Sequence, residues 1–260
     1  MKSENQFELT VKNLSISFSG LRALSAVSFG VRKGELFAII GPNGSGKTTV
    51  FNCISRIYMP EEGEIRFGEI DLLKLKPYHI PGLGIARGFQ NLALFSNMSV
   101  LDNLILGRHS LMKSGVLSGA FFFGKALREE IQHRQKIEEI IDFLEMENIR
   151  KEIVGSLPLG LQKRVDLGRA LAMEPKILLL DEPVAGMNVE ETEDIARFII
   201  DVNEELDVTI VLIEHDMGIV MDIADRICVL NFGQKIAEGD REEIKNNPLV
   251  IEAYLGKTLA

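Results

Sequence analysis

The chain is poor in cysteine and histidine and has no long apolar run. Its 260 residues include only two cysteines, Cys53 and Cys228, far apart and each inside an apolar segment. That placement reads as buried thiols rather than a disulfide or a ligand pair, and it suits a reducing compartment. The four histidines show no metal-ligand spacing. No apolar run approaches the ~20 residues needed to cross a bilayer. The best candidate, Gly115 to Gly124, is half that length, so any work at a membrane requires another subunit to hold the chain there. Met1 to Gln6 has no apolar core behind it and reads as lacking a signal peptide. Positive charge is also short. The net charge of −9 argues against nucleic acid as a ligand, since that affinity rests on Lys and Arg neutralising phosphates. Apolar and charged fractions of 46% and 26% are those of a globular protein, and the length suits one large domain or two small ones.

What is present is concentrated in Gly41-Pro42-Asn43-Gly44-Ser45-Gly46-Lys47-Thr48-Thr49. This is a phosphate-binding loop, G-x-x-x-x-G-K-[ST], with a second Thr. The apolar run Leu36 to Ile40 reads as a buried strand feeding into it, and Thr48 to Ile57 as the helix that follows. Glycines let successive N–H groups turn toward phosphate oxygens, and the helix N-terminus adds partial positive charge. Lys47 reaches the β- and γ-phosphates of a nucleotide, and the Thr48 hydroxyl can ligate Mg²⁺.

Along the chain, Phe7-Leu9-Val11 and Leu14-Ile16-Phe18 each alternate at period two. With Ala26 to Val31 and Glu64 to Phe67 they predict a small antiparallel sheet beside the phosphate-loop strand. From about Val100 to Arg150 the period changes. Ile137, Ile140, Ile141 and Leu144 fall on one face of a helix. A further helix follows Pro158 and runs to about Met173, before Pro175. Strands Ile177 to Leu180 and Val208 to Ile213 flank a helix over Val189 to Leu206. Alternating strands and helices imply a parallel sheet with ligands at the strands' C-terminal ends. The expected class is α/β: a phosphate-loop core with a small antiparallel β subdomain and an inserted α-helical subdomain. The expected division is residues 1–92 with 174–260 for the core, and 93–173 for the helical part.

Three strand ends carry candidate chemistry. Asp181 closes an apolar strand, where a carboxylate can hold a nucleotide's Mg²⁺. Glu182 beside it is placed to polarise an attacking water as general base. His215 stands just past another buried strand and can hydrogen-bond a γ-phosphate. Gln90, after Gly88-Phe89, can reach Mg²⁺ or the water. Phe18 ends a short strand ahead of Gly20 and can stack on an adenine ring.

The order Phe18, Gly41 to Thr49, Gln90, Gly160, Asp181-Glu182, His215 resembles the ATP-binding-cassette ATPases from end to end. The resemblance implies an adenine-stacking aromatic, a Walker A loop, a glutamine loop, a signature helix with Gly160, a Walker B segment with its catalytic glutamate, and a histidine switch. Several stretches look like the ATPase of branched-chain amino-acid uptake systems. They are Gly84 to Asn91, Asp181 to Asn188, Ile213 to Met217, Glu243 to Pro248 and Ala253 to Gly256. For such a protein the resemblance implies ATP and Mg²⁺, integral membrane permease subunits, a solute-binding protein, and a peripheral position on the inner face of the cell membrane. It also implies a second, related ATPase subunit, or a homodimer. Two other readings stay open at this level: an exporter of lipid or lipopolysaccharide, and a non-transport assembly ATPase.

One element departs from the family pattern. Where Leu-Ser-Gly-Gly-Gln is usual, this chain has Leu157-Pro158-Leu159-Gly160-Leu161. In the family this stretch contacts the γ-phosphate bound by the opposite subunit. Pro158 removes a hydroxyl and an N–H, although proline is tolerated in a first helical turn. Gly160 and the helix dipole remain. The expectation is a weakened half-site, slow hydrolysis by a homodimer, and a working pair of two different ATPases. Gly115 to Gly124 reads as part of the helical core, or as a contact surface for a membrane subunit.

Overall fold

The computed structural model describes residues 7–89, 92, 94–108, 111 and 125–255, with side chains left undescribed over 125–129 and at 255. Gln90 and Gly115 to Gly124 lie outside the described residues. In chain order the strands are β1 (Leu9–Phe18), β2 (Leu21–Val31), β3 (Leu36–Ile40), β4 (Glu62–Phe67), β5 (Ile70–Asp71), β6 (Ile85–Gly88), β7 (Ile177–Asp181), β8 (Thr209–Ile213), β9 (Arg226–Asn231) and β10 (Gln234–Gly239). The α-helices are α1 (Lys47–Ile54), α2 (Val100–Arg108), α3 (Lys125–Phe143), α4 (Leu159–Leu171), α5 (Val189–Leu206), α6 (Met217–Ile223), α7 (Arg241–Lys245) and α8 (Pro248–Leu255).

The two alternating segments before Phe18 form one strand. Val11 pairs with Phe29 but Leu14 with Val27, so β1 carries one extra residue there. Asn13 takes it up in a left-handed conformation, φ 51°. That bulge is why the apolar phase slips by one between Val11 and Leu14 while both side chains stay in the core. β1 lies inside an antiparallel sheet of order β2-β1-β4-β5.

The second sheet has the order β10-β9-β3-β8-β7-β6, parallel except for the antiparallel β10 edge. Every residue of β3, β7 and β8 is buried. Both faces of these strands are covered, and pleat parity divides their side chains between two cores. Ala38, Ile40, Leu178, Leu180, Ile210 and Leu212 join the helical layer, with Ile137, Ile140, Ile141 and Leu144 of the expected helix face. Phe37, Ile39, Leu179, Val211 and Ile213 join the antiparallel sheet and α1. β6, β9 and β10 were not read from the sequence. β6 is short and interrupted by Arg87, and β10 is a partly exposed edge strand. Helix α1 stops at Ile54 rather than Ile57, because Arg56 turns left-handed at φ 60°.

Register fixes the site. Ile39 of β3 lies opposite Ile213 of β8, and Ile213 opposite Asp181 of β7. The chain therefore leaves three adjacent parallel strands at the same level, on one edge of the sheet.

Candidate functional site

The loop after β3 is shaped by glycines that nothing larger replaces. Gly41 has φ 149°, and a Cβ there would lie 2.0 Å from the Leu230 carbonyl oxygen. Gly46, at φ 102°, has the Leu24 Cδ2 atom 2.6 Å from the position a Cβ would take. The β9–β10 turn buttresses the loop, with the Gly233 N–H donating to the Ser45 carbonyl at 3.1 Å. Lys47 is buried and folds back on the loop, its Nζ donating to the Gly41 and Pro42 carbonyls at 2.7 and 3.2 Å. Burial pushes its ammonium below the usual lysine range, opposed by the charges of Glu182, Asp181 and Glu214. The Ser45 hydroxyl is buried with no hydrogen-bond partner among the described residues.

A cavity of about 590 Å³ opens over this loop, lined by Arg22, Asn43 to Thr49, Glu182 and Phe232 among others. A second, of about 470 Å³, lies on the loop's other side and takes in Pro42 and the α8 residues Leu249, Glu252 and Ala253. The larger cavity offers backbone amides, a buried ammonium and hydroxyls, which is the chemistry of a polyphosphate site.

Asp181 ends β7 and is buried against Arg87 of β6, whose Nη2 lies 2.8 Å from its Oδ2. The other arm of Arg87 donates to Asn52 Oδ1 of α1 at 2.8 Å, and its guanidinium lies 5.5 Å from the Phe51 ring. Burial raises the Asp181 carboxyl above the usual range, while Arg87 pulls it back. Glu182 follows in a left-handed conformation, φ 52°, with its N–H donating to the Ile213 carbonyl at 2.9 Å. That backbone turns its half-exposed carboxylate away from the core and over the phosphate loop. His215 faces it, with Nδ1 3.8 Å from Glu182 Oε1.

Glu214, between β8 and His215, is fully buried. Its carboxylate accepts from the N–H groups of Val184 at 3.1 Å and His215 at 3.0 Å. Burial raises its pKa, and these backbone donors oppose the rise. Lys163 of α4 is buried too, and its Nζ donates to the carbonyls of Glu182, Pro183 and Ala185 at 3.2, 2.8 and 2.8 Å. Arg87, Lys163 and Glu214 were not singled out from the sequence. No local signal marks them: Lys163 stands between Gln162 and Arg164, Glu214 beside His215, and Arg87 in a strand that was not read from the sequence.

The structure brings together Gly44, Ser45, Gly46, Lys47, Thr48, Thr49 and Glu182 around one cavity, with His215 beside Glu182. Phe18 and Gly160 do not line it. The Phe18 ring packs edge-on against Tyr58, centroids 5.0 Å apart. Gly160 lies in the first turn of α4, where a Cβ would stand 2.7 Å from Glu191 Oε1 of α5. Pro158 caps that helix without a side-chain hydrogen bond.

No cluster of three or more His, Cys, Asp or Glu suited to a metal occurs among the described residues. The Thr48 hydroxyl and the Asp181 carboxylate are hard oxygen donors of the kind Mg²⁺ takes beside substrate phosphates. No helix among the described residues is long and apolar enough to cross a membrane.

Comparison with known proteins agrees with this geometry. Residues 24–185 match the family model described as ABC transporter, and residues 234–260 the one described as branched-chain amino acid ATP-binding cassette transporter. The high-affinity branched-chain amino acid transport ATP-binding protein LivG of Salmonella typhimurium is 41% identical over 252 residues, 96% of this chain and 98% of that protein. BraF of Pseudomonas aeruginosa, described in the same words, is 39% identical over the same length. An ATP-binding cassette of an ABC transporter, solved in its ADP conformation, superposes with a TM-score of 0.82 at 33% identity, over 96% of this chain and 98% of that one. A dimeric cassette in a post-hydrolysis state with ADP and phosphate gives 0.75 at 26% identity, over 90% and 98%.

Proposed function

The chain belongs to the ABC transporter ATP-binding family, and from that premise we propose that it is the ATP-hydrolysing subunit of a branched-chain amino acid importer. The observation that carries the chemistry is the alignment of three parallel strand ends, which puts Lys47 and Glu182 at one cavity with His215 beside Glu182. The observation that carries the substrate class is the match of residues 234–260, together with near-full-length relatives. Nothing in those relatives favours the exporter or the assembly reading.

In this reading the loop from Gly41 to Thr49 cradles the phosphates with its amides. Lys47, held by two loop carbonyls, turns its charge to the β- and γ-oxygens. Glu182 takes a proton from the attacking water, and His215 hydrogen-bonds the γ-phosphate and holds it in line. Mg²⁺, held by Thr48, Asp181 and the Gln90 amide, would neutralise charge on the phosphates. Phe18, partly exposed beside Tyr58, would stack on adenine. Gly160 serves the nucleotide of the opposite subunit, which accounts for its position away from this chain's own cavity. Residues 1–92 and 174–260 act as the nucleotide-binding core and 93–173 as the helical subdomain. The partners are integral membrane permease subunits, a second, related ATPase and a solute-binding protein. They would hold the chain at the inner face of the cell membrane.

Replacing Glu182 by Gln tests the assignment. Turnover is expected to fall by about 10²-fold or more, while a fluorescent ATP analogue binds as before. Unchanged turnover would remove Glu182 from the base role. Affinity capture from membranes tests the transport reading, which requires permease subunits to accompany the chain.

A further inference from the structure

The backbone that carries Glu182 is gripped from two sides by buried charges of opposite sign. On one side is the Lys163 ammonium. Its three donors meet three acceptors, the carbonyls of Glu182, Pro183 and Ala185, so its hydrogen-bonding capacity is filled by this loop alone. On the other side is the Glu214 carboxylate, which takes the N–H of Val184 in the same loop and the N–H of His215 in the next. Lys163 and Glu214 are 5% and 0% exposed, so neither interaction is diluted by water. The segment between them turns at Glu182, which holds φ 52° without being glycine. Three carbonyls converging on one point repel each other unless a cation sits between them, so the turn depends on the cation.

The cation does not belong to the loop. It comes from α4, the helix whose first turn holds Gly160. One turn further along α4, Asp166 is buried and accepts the N–H of Phe89 at 2.6 Å, the residue that leads into Gln90. Lys163 Nζ also stands 6.0 Å from the centre of the Phe89 ring. One helix face therefore holds the backbone at the exits of both β6 and β7.

We propose that Lys163 is a positioning residue for hydrolysis: working against Glu214, it sets the backbone turn at Glu182 and makes the carboxylate follow any displacement of α4. Through Lys163 and Asp166 a shift of α4 reaches Glu182 and the approach to Gln90 together. Glu214, holding Val184 and His215 at once, keeps the histidine in step with the glutamate. This rests on the assignment of Glu182 as the base. A displacement of about 1 Å at such a group is enough to cost on the order of 100-fold in rate.

The test uses Lys163→Met and Lys163→Arg in the full chain, with kcat, KM for ATP and the affinity of a fluorescent ATP analogue measured for each. Wild-type turnover is measured first, with a related ATPase of the usual signature supplied, and its absence there would sink the proposed function rather than this inference. Lys163→Met is expected to lower kcat by about tenfold to 100-fold, with analogue affinity and KM within about twofold of wild type. Lys163→Arg, which keeps a cation with several donors, is expected to recover most of the loss. Should the Met variant not fold, Lys163→Gln removes the charge while keeping a donor and is read in the same way. Unchanged kcat in the neutral variant would overturn the proposal. So would a parallel loss of nucleotide affinity, or failure of the Arg variant to recover.

Discussion

Arg87 and Asp181 form a buried ion pair across neighbouring strands, Nη2 to Oδ2 2.8 Å, with side-chain exposures of 13% and 7%. The candidate metal carboxylate thus has a counter-ion built into the sheet, on the strand that leads to Gln90. Cutting one partner leaves a buried charge, whereas removing both leaves an apolar gap. Arg87→Met is therefore expected to cost about 3–5 kcal/mol of stability. The double replacement Arg87→Met with Asp181→Leu should cost clearly less than that single change. Urea denaturation of the two variants decides it, and equal losses would show that the pair is not electrostatically coupled.

Gly41 is the point at which the phosphate loop leaves the sheet. Its φ of 149° and the 2.0 Å approach of the Leu230 carbonyl oxygen leave no room for a methyl group. Gly41→Ala must push β9 or the loop aside, and is expected to destabilise the fold by about 2 kcal/mol or more. Gly44→Ala, with nothing within 4 Å of its would-be Cβ, meets only the strain of its left-handed backbone. Thermal denaturation should rank Gly41→Ala below Gly44→Ala, and the reverse order would refute the steric argument.

Glu214 gives the fold a pH signature. Burial raises its folded-state pKa above the ordinary value of 4.5. A carboxyl with a raised folded pKa binds more protons folded than unfolded, so its contribution to stability falls as pH rises through that window. Relative to Glu214→Gln, which cannot titrate, the wild-type protein should gain stability as pH drops from neutrality toward 4.5, and no further below it. Urea midpoints of both proteins at a series of pH values measure the difference. A difference that does not change with pH would mean that Glu214 titrates alike in the folded and the unfolded chain.

The signature stretch predicts asymmetry between subunits. Pro158 supplies no side-chain cap to α4, and Leu159 and Leu161 replace the usual small and polar residues of the family. ATP hydrolysis by the purified chain alone is expected to be slow, and to rise when a related ATPase with the usual signature is supplied. Steady-state phosphate release with and without that partner measures it. Rapid turnover by the chain alone would show the altered stretch to be fully competent.

Legibility from the sequence followed the range of the interaction. The phosphate loop, Asp181, Glu182 and His215 were readable because each sits next to its own strand in the chain, where local pattern shows. The helix face of Ile137, Ile140, Ile141 and Leu144 was readable for the same reason, and all four residues are buried. The bulge at Asn13 left only a phase slip in the alternation. Arg87, Lys163 and Glu214 look like ordinary charges in the sequence, since their partners are set by the sheet order and by helix docking.

The sequence by itself determined that a nucleotide loop and three strand-end groups exist, because backbone period and residue chemistry are local properties. Tertiary structure alone decided which of two cores each apolar residue of β3, β7 and β8 enters, because a strand buried on both faces carries no polar side to orient it. It also decided that Arg87 meets Asp181, 94 positions away, and that α4 holds the Glu182 turn. A buried charge takes whatever partner the fold delivers within about 3 Å, and that distance is fixed in space rather than along the chain.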